Sequence, residues 1–119
     1  MSFREIIEGI HEKDRLVRGG ALTGSDGLPV EEWVAGPGPH DLSALCAEMA
    51  QCFKESSRIS RENGLGDCSE LFLAGDRGQV YFRRVTDEYF LLLVADPGAI
   101  PGKCRFLLRQ GSSRAREIL

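Results

Sequence analysis

The sequence predicts an α+β fold: a single domain ordered α-β-β-α-β-β-β-α, with a five-stranded antiparallel sheet between helices. Three observations carry this. Three stretches repeat apolar residues at helical spacing, and three short strand signals follow one another between residues 70 and 94. In addition, Gly24-Ser25-Asp26-Gly27 lies between two apolar segments, as the turn of a hairpin would. The 119 residues suffice for one core and are too few for two, so residues 1–119 are expected to form one domain.

Phe3, Ile6, Ile7 and Ile10 make a compact stripe, which predicts a first helix over residues 2–14. Arg18-Gly19-Gly20 reads as its break. Ala21-Leu22-Thr23 and Leu28-Pro29-Val30 flank the turn as strands, and Pro29, lacking a donor, marks the second as an edge strand. Gly36-Pro37-Gly38-Pro39 and His40 form a loop before a long helix that Asp41 is placed to cap and that runs to Asn63. Gly64 and Gly66 suit its left-handed end. Glu70-Leu71-Phe72-Leu73, Gln79 to Val85, and Tyr89 to Val94 then read as a meander. The last is the most apolar run and belongs at the centre of the sheet. A final helix from about Ala99 carries Ile100, Cys104, Leu107, Leu108, Gly111, Ala115 and Ile118 on one face. Gly111 there suggests close approach to a neighbour, the first helix being the candidate.

The second helix has more apolar surface than one contact needs. Leu42, Leu45, Met49, Cys52, Ser56 and Ile59 alternate at spacings of three and four, and Cys46 and Phe53 form a second row beside them. Together the rows cover roughly 140–150° of the circumference, against the ~100° stripe of an ordinary surface helix. One row can lie on the chain's own sheet. The other needs a partner, and for so short a chain the simplest is a second copy. Cys52, near the midpoint, would then lie close to its own mate. The strand Glu70–Leu73 is expected at the edge of the sheet, paired with its copy, because an open apolar edge invites aggregation. Ser56, Ser60 and Gly64 form a row of small residues where a further partner could approach closely.

Composition narrows the function. The chain is 42% hydrophobic and 28% charged, with a net charge of -3, which argues against nucleic acid as a partner. Met1-Ser2-Phe3-Arg4-Glu5 lacks the apolar stretch of a signal peptide, and no window approaches a membrane span. Cys46, Cys52, Cys68 and Cys104 show no metal or redox spacing. Three of them fall on apolar helical stripes, so reduced thiols in a cytoplasmic protein are expected.

Some segments imitate chemistry. Leu91 to Asp96 looks like an acidic nucleotide-site strand, and Gly98 to Cys104 like a phosphate loop. The loop is one residue short, however, and Cys104 stands where a magnesium-holding hydroxyl is required. His11 and His40 have no nucleophile at a recognisable spacing and read as surface or cap residues. Asp26, Asp76, Asp87 and Asp96 fall at turns, where aspartate is favoured by its own backbone hydrogen bonding. Lys103, Arg105, Arg109, Arg114 and Arg116 make the last helix basic, as a solvated face or as a surface for an acidic partner. No catalytic residue, metal site or cofactor is expected.

The order of elements resembles the Roadblock/dynein light chain family, above all its bacterial members of the MglB type. The matching residues are Gly20 to Val30, similar to the family's first hairpin; Asp41-Leu42-Ser43-Ala44-Leu45, a helix start; and Tyr89 to Val94 followed by Gly102 to Leu108. Pro101 and the short tail depart from the family pattern. The resemblance implies the profilin-like Roadblock architecture and a homodimer whose second helices pack together while the third strands join two sheets. Its interface would use Leu42, Leu45, Met49, Cys52, Ile59 and Phe72. It also implies a non-catalytic scaffold or regulator of a small Ras-like GTPase that modulates the partner's hydrolysis; the small-residue row Ser56, Ser60 and Gly64 is then either the GTPase docking face or a site of tight packing within the dimer. Arg77 is an exposed candidate for an arginine finger, though no motif singles it out. Two other classes remain: a small-ligand sensor of PAS or GAF type, marked by a dry cavity under the sheet, and a thiol-redox enzyme, marked by a depressed cysteine pKa.

Overall fold

A computed structural model describes residues 1–36 and 41–119. The elements follow the predicted order: α1 (Phe3–Lys13), β1 (Val17–Gly24), β2 (Pro29–Val34), α2 (Ser43–Glu62), β3 (Glu70–Gly75), β4 (Gly78–Arg84), β5 (Tyr89–Ala95) and α3 (Pro101–Ile118). The strands form one antiparallel sheet in the order β2-β1-β5-β4-β3. The apolar run of β5 is therefore central, and β2 and β3 are the two edges. The loop expectation for residues 37–40, His40 included, lies outside the described residues.

The two faces of the sheet bury separate clusters, as alternation along a strand requires. Tyr81, Leu91 and Leu93 point to one face, where Ile6, Ile7 and Ile10 of α1 and Cys104, Leu107 and Leu108 of α3 cover them. Phe82, Phe90 and Leu92 point to the other, beneath Cys46, Met49, Ala50 and Phe53 of α2. The Phe53 ring meets Phe90 and Phe82 edge-on, at 4.8 and 5.9 Å between centroids, while Phe82 and Phe90 stack at 4.9 Å. Ser2 caps α1 by accepting the Glu5 N–H at 3.2 Å. Tyr81, fully buried, donates its hydroxyl to Gln79 at 2.6 Å, and the Gln79 amide donates to the carbonyls of Pro97 and Ala99, fixing the turn into α3.

Several boundaries differ from the sequence reading. Gly19 and Gly20 do not end a helix; they lie inside β1. A Cβ at Gly19 would sit 2.4 Å from the Trp33 carbonyl oxygen, and one at Gly20 2.2 Å from that of Leu92, so both neighbouring strands approach closer than a side chain allows. The α2 helix starts at Ser43 with Leu42 at the cap position, and the Asp41 carboxylate accepts the Ser43 N–H at 2.8 Å from one residue further out. Hydrogen bonding to the Ser43 side chain, and then to its backbone N–H, holds the Asp41 carboxyl below the usual carboxylate range. Proline supplies the first turn of α3, which leaves Ile100 68% exposed before the helix, and Ile118 is exposed in its last turn. His11, expected at the surface, is buried. Its Nδ1–H donates to the Val17 carbonyl at 2.7 Å, and its ring lies against Trp33. Cys52 is exposed, away from the apolar stripe that takes in Cys46.

Candidate functional site

The edge formed by β3 and the adjoining flank of α2 gathers most of the residues singled out from the sequence. Gly27, in the β1–β2 turn, packs against the Ala47 and Ala50 side of α2; a Cβ there would lie 2.9 Å from the Ala47 Cα. With the hairpin on that flank, the opposite flank, bearing Leu45, Cys52, Ser56 and Ile59, turns toward β4 and β3. Leu42 and Leu45 are half-buried at the margin of the cluster that also takes in Leu71 and Val80. Cys52 and Ile59 are exposed, Ile59 at 46%. On β3 itself, Leu73 is 57% exposed and Phe72 43%, and among the described residues no strand covers their edge. Phe72 lies on the α3 side of the sheet, stacked on Tyr81 at 4.7 Å, whereas Leu73, paired with Val80, lies on the α2 side.

Met49 departs from its predicted company. It is only 4% exposed and sits in the chain's own core beneath α2, so it has no surface left for a subunit contact. The two rows lie close enough on the helix that a flat sheet takes side chains from both. The row of small residues is also partly engaged. Ser60 donates its hydroxyl to the Gly66 carbonyl at 2.7 Å, closing the turn after α2, while Ser56 is half-buried and Gly64 exposed at φ +75°.

An arginine cluster at the start of β3 was not assembled from the sequence. Glu70 accepts from Arg83 Nη1 at 2.7 Å, from Arg105 Nε at 2.7 Å and, at 3.4 Å, from Arg109 Nη2. Burial pushes the Glu70 carboxyl up, but the hydrogen bonds from Arg105, Arg83 and Arg109 outweigh it and hold the group below its usual range. Only the Glu70–Arg83 pairing, directly across two strands, was within reach of local pattern. Arg105 and Arg109 come from a helix 35 and 39 residues away. Arg116 of the same helix is also engaged, donating to the Val85 carbonyl at 2.7 and 3.0 Å.

Elsewhere the surface offers grooves. One of about 570 Å³ runs between α2 and the end of β4, lined by Phe53, Lys54, Ser57, Arg58, Arg84 and Phe90 among others, and it is open to solvent. It lies beside the helix, so it differs from the enclosed cavity under the sheet that a PAS-like sensor would need. Burial raises the Cys46 thiol to about 11 and pushes Cys104 up as well, the direction opposite to an activated redox thiol. Among the described residues, no group of three or more His, Cys, Asp or Glu side chains could hold a metal ion. No helix among them is long and apolar enough to cross a membrane.

A family model described as the Roadblock/LC7 domain matches residues 12–95. Among solved structures, the gliding protein MglB of Thermus thermophilus is similar at a TM-score of 0.87 and 21% identity, over 98% of this chain and 87% of that one. MglB of Myxococcus xanthus is similar at 0.83 and 16% identity, over 98% and 93%. MglC of Myxococcus xanthus is similar at 0.65 and 24% identity, over the whole of both chains. At these identities the likeness is one of fold. No match is found among curated protein sequences.

Proposed function

The chain belongs to the Roadblock/LC7 family, and on that premise we propose that it is a homodimeric, non-catalytic scaffold or regulator that binds a small Ras-like GTPase and modulates its GTP hydrolysis. The observation that carries this reading is the β3 edge that no strand among the described residues covers, with Phe72 and Leu73 on its two faces, together with the exposed Cys52 and Ile59 on α2. An apolar strand edge is a template for another strand, and the same strand of a second copy satisfies it with two-fold symmetry. The α2 helices would then pair antiparallel above the joined sheets, through Leu42, Leu45, Cys52 and Ile59. The paired helices would offer a broad surface to the GTPase, with Ser56, Ser60 and Gly64 at its ends. The fold supplies rigid elements on which a partner's switch segments can be ordered, which is the means by which a regulator without catalytic groups changes a GTPase.

Isothermal titration of the dimer with a small Ras-like GTPase from the same source, loaded in turn with GDP and with a non-hydrolysable GTP analogue, tests this. Binding that prefers one nucleotide state, together with a changed rate of single-turnover hydrolysis, supports the proposal. Absence of binding in both states overturns it.

A further inference from the structure

The Glu70 cluster is unbalanced. Three guanidiniums, those of Arg83, Arg105 and Arg109, share one carboxylate, leaving two positive charges in surplus on a chain whose net charge is -3. Each guanidinium carries five N–H donors and one carboxylate offers about four acceptor sites, so donors remain free for a second acid. Arg105 and Arg109 are 45% and 56% exposed, while Glu70 is 12% exposed. The surplus therefore faces outward, at the first residue of the open edge strand.

The pairing geometry of β3 limits which acid can reach it. Glu70 bonds to α3 and Phe72 stacks on Tyr81, so even-numbered residues of β3 face the α3 side. Asp76 follows Gly75 at the far end of the strand, exposed in the turn to β4. Six residues along a strand, it lies roughly 20 Å from Glu70 of its own subunit and cannot serve it. When two β3 strands pair antiparallel about a two-fold axis, residues of like face stand opposite and the start of one strand meets the end of the other. A register centred on Leu73 places Asp76 of the partner subunit directly across from Glu70. A register centred on Phe72 places it one diagonal step away, roughly 7–8 Å between Cβ atoms, a gap an arginine spans.

We propose that Asp76 of each subunit closes the arginine cluster of the other, an ionic lock at both ends of the β3–β3 seam that makes dimerisation depend on salt. The inference rests on the homodimeric reading above and adds to it a named contact and a mode of control. Two locks per dimer, partly shielded by the seam, make the effect larger than that of a single exposed pair.

Sedimentation equilibrium on the full chain at about 50 mM and about 500 mM NaCl tests it. Asp76→Lys should raise the dimer dissociation constant about tenfold at low salt, and Asp76→Asn should raise it less. Both differences should largely vanish at high salt. Arg109→Glu alone should weaken the dimer in the same sense, and combining it with Asp76→Lys should restore most of the affinity by exchanging the charges. Thermal melts of each variant monitor subunit folding separately. A wild-type dimer whose affinity and salt dependence are unchanged by Asp76→Lys would overturn the lock while leaving the dimer standing. A wild-type chain that is monomeric throughout would overturn the homodimer, and the lock with it.

Discussion

Gly111 of α3 packs against Ile10 of α1 so closely that a Cβ at position 111 would stand 2.9 Å from the Ile10 Cδ1 and 3.2 Å from the Leu91 Cδ2. The glycine weakens its own helix by about 1 kcal/mol relative to alanine, and the close helix crossing compensates for that. Gly111→Ala should change stability by less than about 1 kcal/mol, because the gain in helix propensity offsets a shift of the flexible Ile10 tip. Gly111→Leu should cost about 2–3 kcal/mol by forcing the helices apart. Equilibrium urea unfolding of the two variants checks both values.

Met49 and Cys52 lie three residues apart on α2 and have opposite environments, one in the core and one exposed. Met49→Ala should cost about 2–4 kcal/mol through the cavity it leaves above the sheet. Cys52→Ala should alter subunit folding by less than about 0.5 kcal/mol. Urea titrations at matched protein concentration read the contrast, and equal costs would contradict the placement of the two side chains.

Glu70 links folding to pH. Its folded pKa lies below the unfolded value near 4.5, so its ion pairs contribute fully above that pH and are lost as pH falls toward the lower folded value. Wild type should therefore lose stability between about pH 5 and about pH 3 by more than Glu70→Gln does, whereas Glu70→Gln should already be the less stable protein at neutral pH. Chemical unfolding across that range checks the sign.

The thiols should separate by accessibility. Cys46 and Cys104 are fully buried and their ionisation is suppressed, Cys46 to about 11, while Cys52 is exposed. In native protein near neutral pH, a maleimide should label Cys52 ahead of the others, more slowly at concentrations where the dimer covers it, and Cys46 and Cys104 only after denaturation. Peptide mapping by mass spectrometry reads out each site.

The fold was legible because its core obeys simple periods. Ile6, Ile7 and Ile10 mark α1, the run Tyr89–Val94 marks the central strand, and Gly111 marks the helix contact, each from neighbours a few residues away. The uncovered strand edge followed from a short apolar segment between turns. Reading failed where placement depends on distant elements. Met49 was drawn into the core by a sheet that accepts two adjacent rows, and Gly19 entered a strand because Trp33 and Leu92 come from neighbours the local pattern does not reveal. Ser60 is engaged by a carbonyl six residues on. The Glu70 cluster needed a helix brought back over the sheet, and its arginines looked, in sequence, like a solvated face.

The homodimer is the central claim, and mass in solution tests it most directly. Multi-angle light scattering at micromolar concentration should give about 26 kDa, twice the 13.1 kDa of the chain. A short bismaleimide should join two copies through Cys52, and Cys52→Ala should abolish the cross-link while preserving the dimer mass. A mass of 13.1 kDa across the whole concentration range would contradict the account.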